Sequence, residues 1–224
     1  ERQYANGKKL YDLLEPHDPL DKYFWLFKEH WVEFSPEELG DNDIDFDERE
    51  EKQEEQRKNA LIQIYEKHGK EGLLKLALKG AGGMVAGTLA TKHLLDSSQI
   101  IDLVEAALQY PNADTNKIKN FLCGVFMPIS GDELLSIVNT LKYRMARHDE
   151  SSEYMNSVYI SMPFRKSTWD YIGRSDSQAQ QKYWTTVYPS WTQDAEQHMD
   201  YVVESLMNVN RARAAFHLAH LKPH

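Results

Sequence analysis

From Ser161 to Leu221 the chain reads SMPFRKSTWDYIGRSDSQAQQKYWTTVYPSWTQDAEQHMDYVVESLMNVNRARAAFHLAHL. Apolar side chains recur at helical spacing through this stretch. Turn signals at Gly173-Arg174-Ser175, Pro189-Ser190 and Asn208-Val209-Asn210 cut it into four short helical segments. Each segment carries one apolar stripe and is too short to bury it alone, so each must pack on a neighbouring helix. That requirement predicts an all-α fold of antiparallel helix pairs. They are stacked either as an α-solenoid of the TPR/HEAT kind or as an irregular helical bundle. Strand-like alternation is not seen along the sequence.

The upstream chain repeats the plan. A modest helix is expected over residues 4–14, with Tyr4, Leu10, Leu13 and Leu14 apolar. Asp18 is placed to cap the next helix with Pro19 at its first position. Residues 20–34 carry Leu20, Tyr23, Phe24, Phe27 and Trp31 at helical spacing, which reads as one core helix. Ser35-Pro36-Glu37-Glu38 is a further helix-start signature. A long helix is predicted from about Asp47 to His68, ended by Gly69. It buries Ala60, Leu61, Ile64 and Tyr65 in its second half and extends an acidic first half into solvent. Helices then follow over Glu71–Lys79, Gly83–Leu95, Ser97–Tyr110 with Ser97 as cap, Asp114–Phe126, Gly131–His148 and Ser151–Ser161. Pairs restart roughly every 30–40 residues, the range of helical repeats. The organisation expected is residues 1–40 as N-terminal aromatic helices, 41–68 as an acidic long helix, and 69–224 as one continuous helical-repeat array.

Charge locates rather than classifies. The net charge of the 224-residue chain is −9. Between Glu37 and Glu55 there are eleven acids and two bases, also a net of −9. The remainder holds 24 acids and 24 bases, so it has no bias towards nucleic acid or anionic membrane. No apolar run is long enough to span a bilayer. The opening ERQYANGKK lacks the apolar centre of a secretory leader. The single cysteine, Cys123, lies in the apolar run FLCGVF and reads as a buried, inert thiol. A cytoplasmic location is the expectation from these features.

Several phrases resemble a helical region of large multidomain bacterial proteins of the signalling or defence kind. They are RKNALIQIYEKHGKEGLLKLAL, VAGTLA, FLCGVF, SMPFRKSTWDYI, QKYWTTVYPSW and VVESLMNVNRARAAFHLAH. Where that family usually has Gly-Arg-Pro in the last phrase, this chain has Asn210-Arg211-Ala212. The resemblance covers most of the chain and implies a scaffold or sensor role, with an NTPase or effector elsewhere in the polypeptide and no catalytic motif here.

Candidate chemistry is sparse. Gly82 to Gly87 has the spacing of a phosphate loop, but Thr88 stands where the lysine is required, so a tight helix–helix turn is the better reading. Asp43, Asp45, Asp47 and Glu54 match a calcium-loop spacing, yet Glu48 occupies the position that needs glycine. His217 and His220, with His224 beyond, lack a third ligand type nearby, so no metal and no cofactor is expected. Arg211 and His217, with five residues between them, fit the Arg-x(4–6)-His pattern of HEPN-type ribonucleases. In those enzymes the arginine stabilises the scissile phosphate and the histidine moves a proton. Ala212, Ala214 and Ala215 favour a packed helix there instead. Trp169, Tyr171, Trp184 and Trp191, with Tyr183 and Tyr188, would either line a peptide groove or weld one helix pair to the next. The function expected is a non-catalytic scaffold or sensor that binds a protein partner or other domains of the same polypeptide. Nucleic acid and membrane are not expected partners. The alternative is a HEPN-like ribonuclease using Arg211 and His217.

Overall fold

A computed structural model describes residues 14–28, 46–79 and 82–220. Those residues are all-α, without a strand among them. The helices are α1 (Pro19–Tyr23), α2 (Phe46–Lys79), α3 (Gly83–His93), α4 (Ser97–Leu108), α5 (Thr115–Phe126) and α6 (Gly131–Met145). They continue as α7 (Ser151–Ser161), α8 (Lys166–Gly173), α9 (Ser177–Thr186), α10 (Gln193–Gln197), α11 (Met199–Asn208) and α12 (Ala212–His220). The expected helix over residues 4–14, the Ser35 helix start and Trp31 lie outside the described residues, save Leu14, which is exposed.

Local chemistry sets the helix ends. Asp18 Oδ1 accepts from the Leu20 amide at 2.9 Å, with Pro19 opening α1. Asp114 and Asp176 cap α5 and α9 in the same way. At α4 the cap is Asp96 rather than Ser97. Asp96 accepts from the Gln99 amide and the Gln99 side chain accepts from the Asp96 amide, each at 2.9 Å, a reciprocal pair that a serine one residue later cannot make. Gly69 adopts φ 57° and ψ −149°, a conformation closed to side chains with a Cβ, and kinks α2 at the predicted break.

Two expectations are corrected. The aromatic segment is not one helix from residue 20: α1 ends at Tyr23 and a 3₁₀ turn runs from Phe24 to Phe27. The tighter winding turns Leu26 and Phe27 inward and leaves Trp25 exposed. The acidic half of α2 does not simply project into solvent. Gln53 and Arg57 are only 5% and 6% exposed, and Arg57 Nε donates to the Leu26 carbonyl at 2.8 Å. Glu54 pairs with Lys92 at 3.4 Å and lies 3.8 Å from His93. A buried carbonyl at the end of the 3₁₀ turn needs a donor, and a long cationic side chain supplies one without burying its whole length.

Helices pack on their sequence neighbours, as α2 on α3 and α11 on α12, and also on their next-but-one neighbours. One series of contacts runs α3 on α5, α5 on α7, α7 on α9 and α9 on α11; a second runs α4 on α6 and α6 on α8. The closest approach is α3 on α5. A Cβ at Gly87 would lie 2.5 Å from the Phe121 carbonyl oxygen, and one at Gly124 would overlap the Met84 carbonyl. The backbones therefore touch, and Thr88 and Thr91 hydroxyls donate across to the carbonyls of Gly124 and Val125 at 3.2 and 3.0 Å. Hydrogen bonds between packed helices differ in their sequence separation. It is 36 residues for Thr88–Gly124, Ser97–Glu133 and Arg165–Ile129, and 42 for Arg144–Asp102. It contracts to 28 residues for Lys166–Asp194 and 27 for Arg211–Trp184. The helices of the last third are correspondingly short, and there the segment after Pro189 divides at His198 into α10 and α11.

Candidate functional site

The aromatic residues of the last third separate into a core and a rim. Trp169 is 1% exposed and Trp184 is 7% exposed, with Tyr183 fully buried between their helices. Phe164 packs edge-on to Trp169 at 4.9 Å between ring centroids, and Tyr183 meets Trp184 at 5.3 Å. Tyr201 closes the cluster against Trp184 at 5.9 Å. Burial holds the Tyr183 phenol well above its ordinary pKa, so it stays neutral. Trp169 and Trp184, expected as candidate binding residues, are enclosed where α8, α9 and α11 meet and do not present their rings to solvent. Tyr171 is half-buried and donates to Asn139 Oδ1 at 2.8 Å, and Trp191 is half-buried against the core. Tyr188, immediately before Pro189, is the aromatic that stands out, at 86% exposed.

Arg211 and His217 both border the surface beside Tyr188. The chain leaves α11 through a left-handed residue, Asn210, at φ 61°. The Arg211 amide bonds back to the Leu206 carbonyl and the Asn210 amide to that of Met207, each at 2.9 Å. This nested pair is the usual way of closing a helix C-terminus, and it fixes the direction in which Arg211 departs. Arg211 Nη1 then donates to the carbonyls of Trp184 at 2.9 Å and Val187 at 2.6 Å. Those are carbonyls at the C-terminus of α9, the negative end of its dipole, which lack helical partners. The guanidinium thus caps a neighbouring helix. His217, by contrast, is exposed, and its Nε2 lies 3.5 Å from Arg213 Nε.

These residues border an open groove of about 570 Å³ lined by Tyr188, Pro189, Asn210, Arg211, Arg213, Ala214, His217 and Leu218. No lining residue is acidic. Phe216, at 61% exposed, stacks on His220 with 3.9 Å between ring centroids on the adjoining surface of α12.

The remaining sequence candidates fall elsewhere. Gly80 and Ala81 lie outside the described residues, while the Gly82 amide donates to the Phe27 carbonyl at 2.9 Å, so the glycine-rich stretch joins helices to the 3₁₀ turn. Asp43 and Asp45 are likewise outside; Asp47 and Glu54 are helical, which prevents the wrapped loop that calcium requires. His224 is outside, and among the described residues no cluster of three His, Cys, Asp or Glu could hold a metal ion. Burial pushes the Cys123 thiol up, against the deprotonation that reactivity needs. Among the described residues no helix is long and apolar enough to cross a membrane.

One cluster had no signal in the sequence. Asp18, besides capping α1, lies 2.9 Å from His68 Nε2 and 3.3 Å from Lys67 Nζ at the kink of α2. Hydrogen bonds from His68 first, then from the Leu20 amide, hold its carboxyl down at about 2. The partners are fifty residues apart, so spacing alone did not join them. Comparison with protein-family models, with curated proteins and with solved structures gives no match to this chain.

Proposed function

We propose that this chain is a non-catalytic, stacked helical-repeat scaffold or sensor module for protein–protein recognition. The observation that carries the reading is the next-but-one packing of its helices. In such an arrangement each unit contacts only its neighbours, and long outer faces are left to receive a partner. Hydrogen bonds that recur at 36 to 42 residues support repeated units rather than a single closed bundle. On this reading the module belongs to a longer cytoplasmic polypeptide of the kind it resembles, and its partner is another domain or another protein.

A HEPN-like ribonuclease is the second reading, because Arg211 and His217 border one groove. Against it, Arg211 Nη1 is committed to two backbone carbonyls. A residue that stabilises a scissile phosphate must point its donors at the substrate. The test of the scaffold reading is photo-crosslinking in the host cell from a benzophenone amino acid placed at the exposed Tyr143 and, separately, at Tyr188. Recovery of the same polypeptide in repeated experiments is expected from at least one position. Crosslinks to RNA alone would overturn the reading.

A further inference from the structure

We propose that the groove between Tyr188 and α12 binds an acidic peptide segment of a protein partner. The proposal rests on the protein-recognition reading and names the chemistry of one partner. Its first support is charge. Arg211, Arg213 and His217 border the groove, and Glu204 is the last acid in the sequence. Arg213 makes no ion pair among the described residues, where its side chain bonds only His217. A guanidinium left in this way offers a planar pair of donors that matches a carboxylate.

The second support is shape. Tyr188, Pro189, Ala214 and Leu218 give the groove an apolar lining beside its cations. At about 570 Å³ it falls within the size of ordinary ligand sites. An exposed tyrosine and an arginine in one concave patch are the residue types that dominate recognition energetics. Arg211 is already fixed by α9, so its backbone and the turn at Asn210 form a rigid wall. Arg213 and His217 are the movable contacts. A short peptide is favoured over nucleic acid because the groove sets only two arginines and one histidine beside its apolar lining, too few cations to follow a phosphate backbone.

The test selects a random-peptide phage library on the immobilised full chain, then measures the enriched peptides by fluorescence polarisation. Peptides rich in Asp and Glu are expected, with affinity falling as salt rises. Arg213→Glu should weaken them by at least about tenfold, since it replaces a donor with a like charge. Arg213 is exposed and among the described residues bonds only His217, so unchanged circular dichroism and melting will certify that variant; His217→Ala provides a second one. Selected peptides without acidic enrichment, or acidic peptides indifferent to Arg213→Glu, would overturn the proposal. So would an oligouridine competitor that binds this groove more tightly than the peptides. If Tyr143 still crosslinks a polypeptide in any of these cases, the groove assignment fails alone and the scaffold reading stands.

Discussion

Replacing Arg211 separates a structural arginine from a catalytic one. In Arg211→Met the two carbonyls of Trp184 and Val187 lose their donor, and the C-terminus of α9 loses a favourable positive charge. A hydrogen bond to a charged group contributes about 1.5–3 kcal/mol. Arg211 is only partly buried, so water can replace some of the loss and the lower end applies. Two such bonds then amount to about 3 kcal/mol. At this chain length that corresponds to a fall of about 6–12 °C in melting temperature. The loss should act first where the bonds lie, in α9 and the helices at its C-terminal end. Hydrogen exchange should therefore accelerate in α9, α11 and α12 and stay unchanged in α3 to α6. Arg211→Lys keeps the charge but not the fork of donors, and should fall between the two. A melting midpoint for Arg211→Met equal to that of the unmodified chain, with unchanged exchange in α9, would refute the structural role.

Trp184→Ala should cost about 3–5 kcal/mol, the range for truncating a large buried aromatic, and a wild-type denaturation midpoint would mean that the ring is not in the core. Gly124→Ala drives a methyl group into the Met84 backbone, so α3 and α5 must separate; a loss of about 1–3 kcal/mol is expected by chemical denaturation, more than for Ala at the exposed Ser136. Asp18 has a folded pKa of about 2 against an ordinary 3.8, so its contribution is present above pH 4 and is lost as pH falls from about 4 to 2. Asp18→Asn keeps the cap and should flatten that acid limb of a stability–pH profile, and an unaltered limb would remove Asp18 from the account.

The sequence announces its helices through punctuation. Asp18-Pro19 and Gly69 act through backbone chemistry within a few residues, so their roles are visible without tertiary information. Apolar spacing likewise marked Leu61, Ile64, Val104, Phe121 and Val138 as core, and all five are buried. What was hidden depends on distant partners. Gln53 and Arg57 look like part of a solvated acidic helix until the Leu26 carbonyl is placed beside them. The site suffers most from this. Trp169, Trp184 and Tyr188 are alike in sequence, and only the packing of α9 on α11 decides that two are enclosed and one is free. Arg211 and His217 fit a spacing pattern, but spacing is silent about the carbonyls that occupy the arginine.

The most direct measurement compares the wild-type chain with His217→Ala on single-stranded RNA and on tRNA, with sedimentation of the same samples to report assembly. His217 is exposed, so the variant should keep its stability within about 0.5 kcal/mol and can be compared at equal fold. On the scaffold reading neither protein cleaves above background in any assembly state that sedimentation reveals. Cleavage by the wild type that disappears in a well-folded His217→Ala would contradict it and establish a ribonuclease in its place.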